Sequence, residues 1–281
     1  MDDTERSSLI RRSFTTIRHN GIDRFILLFM RYISYRFELK ARILSVHPIL
    51  TSVIYMLWCW FYRLLIRLFR CICQDKYTDA DPFKIIWVDP NEIERYADRF
   101  EERRGWVVDG DWDLKTNRFM NQDIPLSIHQ HYVLNIDWEE TPLQEKYPSN
   151  PEFNEKIAKV ESLFETIKQS GYRSQQELLA ETDDEYNVWK EVNDAMHPYG
   201  NEIGVNIGRN GEFLWCVAGK HRLAISKILD IDEIPVQVFK RHSDWQAIRE
   251  RCHQNQTVPD EFQNHPDLSD VCTNDCSDGA G

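Results

Sequence analysis

Beyond residue 76 the chain is short of positive charge. Residues 77–281 hold 21 Lys and Arg against 40 Asp and Glu, a net of −19 in a chain of 281 residues whose total is −12. A body this acidic repels a phosphate backbone except at a local basic patch, which argues against general nucleic-acid binding. Internal repeats are lacking too, and with them a solenoid architecture. The seven cysteines match no compact finger spacing. Cys252, His265, Cys272 and Cys276 could be gathered into a zinc set only across uneven gaps. The apolar run starts too late for a secretory signal and has no small-residue cleavage site, so free thiols in a reducing compartment are expected. Arg outnumbers Lys by 22 to 12, which with the acidic surface is compatible with a high-salt setting.

What basic charge there is collects at the start. Residues 1–76 carry 13 Lys and Arg against 6 Asp and Glu. Arg24, Arg31, Arg36 and Arg42 interleave with Phe25, Ile26, Tyr32 and Phe37, and residues 43–62 then run without a formal charge. Arg63, Arg67 and Arg70 follow at helical spacing. About 20 apolar residues are needed to span a bilayer, and this run reaches that length only by counting Ser45, His47, Pro48, Thr51 and Ser52. Positive charge flanks both ends, so an interfacial or re-entrant helical segment fits better than a span. The expectation is a cytoplasmic protein in peripheral or monotopic contact with a membrane surface through residues 1–77. The alternative is a helical pair packed on the main domain or on another subunit of an oligomer.

Length allows one sizeable core and an appendage. Asp81-Pro82 is expected to be the linker between them. Pro90–Arg104 should be a helix on Ile93, Tyr96, Ala97 and Phe100, followed by a short strand from Gly105. Pro125–Asp137 is apolar, with His129 and His131 expected to pack or hydrogen-bond. Pro151–Ser170 and Ser174–Met196 read as helices of an insertion at about 140–200, the second opened by a capping box of Ser174 and Glu177. Ile203–Ile207 reads as a strand, joined through the Arg209-Asn210-Gly211-Glu212 hairpin turn to a second strand. Residues 251–281 are expected to be an acidic, disordered tail.

The most informative stretch is Gly219-Lys220-His221-Arg222. The apolar strand Phe213–Val217 precedes it, a helical period begins at His221, and Ile234–Phe239 follows as another strand. A turn of this kind sets the free N–H groups of a helix start beside a Lys, a His and an Arg. Helix N-termini attract anions, because their first N–H groups lack partners and the macrodipole is positive there. Two readings follow: a phosphate site, or a helix start with solvated basic residues.

Gly219, His221, Arg222 and Ile234-Pro235-Val236 resemble the ParB/sulfiredoxin-like superfamily, whose signature is a Gly-x-His-Arg turn leading through a helix to an Ile-Pro-Val strand. Ile85–Ile93 resembles the opening strand of that family, and the resemblance covers roughly residues 83–242. It implies an α/β (α+β) fold: a ParB/sulfiredoxin-like domain over 78–250, with the helical insertion and the N-terminal helical basic-apolar appendage. It further implies a nucleoside di- or triphosphate bound at Gly219, Lys220, His221 and Arg222. Members differ in reaction, so fold does not settle function. Sulfiredoxin chemistry needs a Cys where this chain has Lys220. Partition proteins carry an arginine pair in the turn and a helix-turn-helix after it, and both are missing here. The His-Arg ending is closest to the branch that phosphorylates free serine.

The resemblance therefore implies an ATP-, ADP- or CTP-dependent phosphotransferase or NTPase, its acceptor a small hydroxyl compound or a lipid-linked one. Phosphoryl transfer needs positioned cations and often a base. Asp109, Asp111 and Asp113 alternate, and in an extended segment they would face one side, able to hold Mg²⁺ or to supply a base. A solvated Asp-Gly-Asp turn reads the same residues equally well. Glu92 is a second base candidate. Lys220 could neutralise developing charge, His221 donate to a phosphate oxygen, and Arg222 pair with phosphate bidentately. His242 and Trp245 could close one rim of the pocket. The alternatives are a nucleotide-gated membrane adaptor that transfers nothing and, third, a DNA-binding or nuclease-type ParB-like protein. If the chain is a transferase, Asp111 or Asp113 should approach the Gly219 turn.

Overall fold

The computed structural model describes residues 21–27, 29–30, 48–97, 104–181, 200–254 and 259–271. Its first long element is the helix α1 (Pro48–Ile72), with a proline at its first position, where no N–H is needed. Tyr55, Cys59, Tyr62 and Ile66 form its buried face, at helical spacing. They pack on Tyr77, Phe83, Trp106 and residues of the helical stretch 21–30. Polar contacts fix the same face: Tyr62 Oη donates to the Arg104 carbonyl at 2.9 Å, and Arg63 pairs with Asp81 at 2.8 Å. The chain leaving α1 is packed, with Thr78 and Ala80 buried on either side of Asp79; of the expected linker pair, Asp81 is exposed and Pro82 buried. By length and composition Ser52–Ile72 could cross a membrane.

Seven described strands form one mixed sheet, so the fold is α/β. They are β1 (Ile85–Val88), β2 (Arg95–Ala97), β3 (Trp106–Val108), β4 (Thr116–Arg118), β5 (Ile203–Ile207), β6 (Phe213–Val217) and β7 (Ile234–His242). The order is β1-β7-β5-β6-β2-β4, with β3 also paired to β7. All nine residues of β7 are buried. β1 pairs antiparallel with its first half and β3 parallel with its second, while β5 runs parallel along the other edge. Strands buried on both faces read as near-continuous apolar runs, and β5 and β6 have that form.

Helices α2 (Asp123–Leu134), α3 (Pro142–Lys146), α4 (Asn150–Ser170) and α5 (Gln175–Glu181) follow β4, and α6 (Lys220–Ile228) joins β6 to β7. α2 and α4 both pack on α6, closing the core around Leu223, Ala224 and Ile225. The capping box at α5 forms: Glu177 accepts from Ser174 N at 2.7 Å, and Ser174 Oγ from Glu177 N at 3.2 Å. The rest of the helix expected to reach Met196 lies outside the described residues. Where the helix was expected over Pro90–Arg104, the described residues 90–97 form instead a 3-10 turn at Pro90–Glu92 and the strand β2, and residues 98–103 lie outside the described residues. Pairing with β6, and Tyr96 packed edge-on to Trp215, override its helical spacing.

The tail expectation also fails over 259–271, for an electrostatic reason. Asp267 is fully buried and accepts from Arg241 Nε at 2.9 Å and from Trp245 Nε1 at 2.9 Å. Arg249, on the last helix α7 (Ser243–His253), donates to the Asp267 carbonyl, and its Nη2 bonds Asp79 at 2.9 Å and Asp270 at 3.2 Å. This knot fastens the segment onto β7 and α7. Residues 272–281 lie outside the described residues. Burial works to raise the Asp267 carboxyl, but the Arg241 and Arg249 charges outweigh it and bring it down to about 2. Its folded value thus lies below the unfolded one of about 3.9, so its stabilisation holds above pH 4 and fades as pH falls towards 2. Asp267→Asn, which leaves the buried Arg241 guanidinium without its carboxylate while Arg249 keeps Asp79 and Asp270, should cost ~3–5 kcal/mol in urea unfolding at neutral pH. It should also flatten the acid limb of the stability profile.

Candidate functional site

At the end of β6 the chain turns through two left-handed residues, Ala218 (φ 57°) and Gly219 (φ 62°). A Cβ on Gly219 would collide with the Ile203 side chain, so only glycine fits this turn. The Gly219 carbonyl accepts from Leu223 N at 2.8 Å and starts α6. No side chain caps that start. The first turn of a helix points its backbone N–H groups out of the helix end.

Basic side chains surround them. Lys220 Nζ lies 4.8 Å from the centre of the Trp215 ring. Burial lowers its pKa first, and the charge of Lys146 lowers it further. His221 is pushed down to about 4, by burial and then by Lys156, Lys220, Lys146 and Arg222. Its Nε2 is buried without a hydrogen-bond partner. Lys146 ends α3 and Lys156 lies in α4, so three helices bring their cations to one place on an acidic chain. Nothing local in the sequence marks Lys146 and Lys156: their closeness to the turn is made by helix packing.

Arg222 is turned inward. Its Nη1 bonds Tyr172 Oη at 3.1 Å and the buried Glu202 carboxylate at 3.3 Å, and its Nη2 bonds the Asn201 carbonyl. Glu202 also accepts from Gln175 N at 2.6 Å. The expected bidentate phosphate clamp is thus a bidentate brace between α6, the start of β5 and α5.

The acidic candidates lie elsewhere. Residues 109–113 form a bend and turn, not an extended segment; Asp111 and Asp113 converge on Arg209, and Asp109 bonds Ser243 instead. Asp113 accepts from Arg209 N at 2.9 Å and Nε at 2.8 Å, and Asp111 from Arg209 Nη2 at 3.0 Å. Asp109 accepts from Ser243 Oγ at 3.0 Å. Burial would raise the Asp113 carboxyl, but the Arg209 hydrogen bonds outweigh it and hold it below the usual range. Arg209 sits at the β5–β6 turn, where Ile207 faces Phe213, whereas Gly219 follows the other end, where Gly204 faces Val217. Asp111 and Asp113 are therefore a strand length from the basic turn. Among the described residues no three His, Cys, Asp or Glu side chains are grouped to hold a metal. Glu92 is exposed, its pKa raised by burial and by Asp89. Its neighbours Asp89 and Glu94 act on Lys227, in the last turn of α6 and not the first.

The remaining candidates are structural. His131 stacks on Trp138 at 4.2 Å, and His242 accepts from Asp244 N and contacts the Gly110 carbonyl at 2.9 Å. Trp245 is fully buried in the core and closes no rim. His265 contacts the Gly211 carbonyl at 2.9 Å, and Cys252 is disulfide-bonded, so neither is free for zinc, and Cys252 departs from the expected free thiols. Cys272 and Cys276 lie outside the described residues.

No protein-family model matches the chain, and no curated protein or solved structure matches it significantly.

His221 tests the electrostatics of the turn. Its folded pKa of about 4 lies below the ordinary histidine value of about 6.5. Protons therefore favour the unfolded chain, and the stability from neutral His221 is lost as pH falls from 6.5 towards 4. Its ring resonances in NMR should show no inflection between about pH 5.5 and 8, where an ordinary histidine titrates.

Proposed function

We propose that this chain is a membrane-associated binding protein that captures the phosphate groups of a nucleoside di- or triphosphate at the Gly219 turn. One observation carries the reading: Lys146, Lys156 and Lys220 act together on the uncapped start of α6, in a chain that is otherwise strongly acidic. Against these three charges stands the Asp123 carboxylate, 4.0 Å from Lys146, and an anion at a helix start gains hydrogen bonds from backbone N–H groups. The resemblance of Gly219-Lys220-His221-Arg222 to the ParB/sulfiredoxin-like turn supports the same ligand class.

Of the two leading readings the adaptor is favoured over the phosphotransferase. Transfer would need a base or a metal-holding carboxylate at the turn, and Asp111 and Asp113 are committed to Arg209 at the far end of the hairpin. Membrane contact is supported by the outer face of α1, where Met56, Leu57, Trp60, Phe61, Leu64 and Leu68 are exposed. Soluble monomers rarely leave such a patch open. Because the opposite face of α1 is fastened along the body, the helix lies in the interface and does not cross it.

Thermal shift on the full chain with ATP, ADP, CTP and pyrophosphate, with and without Mg²⁺, tests the ligand. A ligand at 100 times its Kd should stabilise by about 2.7 kcal/mol. Lys146→Glu with Lys220→Glu should abolish the shift and leave the unliganded melting point in place, whereas no shift with any of the four would refute the site. Arg222→Ala is a poor probe, since it also breaks the brace to Glu202. For the membrane, Trp60→Glu with Leu64→Glu should remove co-sedimentation with phosphatidylcholine vesicles.

A further inference from the structure

A cavity of ≈ 540 Å³ lies between α1 and the β1 edge of the sheet. That volume falls in the range of roughly 300–1,000 Å³ typical of small-molecule sites. Tyr55, Met56 and Cys59 form its wall on α1, and Ile85 and Trp87 face them from β1. Two of these also belong to the outer surface: Met56 is 60% and Trp87 44% exposed. Met56 adjoins Leu57 and Trp60 on the apolar face of α1, so the mouth of the cavity opens on the side proposed to meet the membrane.

Part of the lining is polar: Ser174, Gln176, Glu202 and Gln237, of which Glu202 and Gln237 are buried. Its charges are already matched. Glu202 pairs with Arg222 at 3.3 Å, and Arg63, also on the lining, pairs with Asp81 at 2.8 Å. An ionised ligand would bring an unbalanced charge into a half-buried space, which is costly. An uncharged hydroxyl can bond a carboxylate, an amide or a serine without disturbing either pair.

We propose that this cavity binds a single-chain membrane lipid with an uncharged, hydroxyl-bearing head, of the monoacylglycerol type. The chain lies between α1 and β1, and the hydroxyls reach Ser174, Gln237 and Glu202. The route of entry rests on the membrane reading of α1; the cavity and its ligand chemistry do not. Glu202 touches both this cavity and, through Arg222, the helix that starts at the basic turn.

The test is photocrosslinking of the full chain with a monoacylglycerol carrying a diazirine in its chain, in phosphatidylcholine vesicles and separately in detergent micelles. The expected adducts map to Tyr55, Cys59, Phe83 or Ile85, and excess unlabelled monoacylglycerol removes them. Cys59→Phe and Ile85→Phe fill the space from opposite walls, and each should cut the adducts about tenfold. Melting points of both variants, measured alongside, keep a folding defect apart from a filled cavity. Adducts confined to Leu57, Trp60, Phe61 and Leu64, or undiminished in both folded variants, would overturn the proposal. So would equal displacement by an ionised fatty acid. If vesicles fail to bind, the membrane reading falls, and the micelle experiment alone decides the cavity.

Discussion

Two buried guanidinium groups set the terms for the rest of this structure. Arg241 on β7 and Arg249 on α7 cannot remain charged inside the core without carboxylates, and Asp267, Asp79 and Asp270 supply them from two distant segments. Asp79 follows α1, and Asp267 lies near the end of the described chain. The requirement to neutralise two arginines therefore draws both ends of the fold onto the same strand and helix. Pairs of this kind contribute little net stability against an apolar alternative, but breaking one is costly. Here they act as a positional constraint. They fix where the chain leaves α1, and with it the separation between α1 and β1 that leaves a cavity.

Charge is sorted along the β5–β6 hairpin. At its turn, Arg209 gathers Asp111 and Asp113 and closes the loop 109–113 onto the sheet. At its other end, lysines from three helices converge on a helix start with no capping side chain. The first arrangement is self-neutralising and asks for nothing further. In the second, Asp123, 4.0 Å from Lys146, offsets part of the positive charge, and His221 stays uncharged.

Helix α1 serves two surfaces at once. Its tyrosines and Ile66 pack inward, and Arg63 and Arg70 reach partners on the body, Asp81 for the first and Glu250 and the Tyr77 carbonyl for the second. Its outward face keeps the Leu, Trp and Phe side chains that give the segment its apolar composition. An arginine on such a helix can read as a headgroup anchor, yet these two are ion-pair partners of the domain.

Local chemistry was legible in the sequence wherever one residue decides the outcome. Gly219 breaks an apolar run just before a helical period begins, Ser174 and Glu177 close their capping box within one turn, and the apolar runs 203–207, 213–217 and 234–239 read as buried strands. These depend on neighbours in the chain. Residues 90–97 misled, since helical spacing there was overruled by strand pairing with β6. The carboxylates of 109–113 misled for the same reason: their roles depend on Arg209, 96 residues from Asp113. Arg222 was legible as a functional type but not as a brace, because Glu202 and Tyr172 become its partners only after α5, β5 and α6 pack. The sequence by itself determined the turn, the strands around it and the amphipathic character of α1. Tertiary structure decided which charges meet, since a charge has no preferred partner until folding fixes distance and burial.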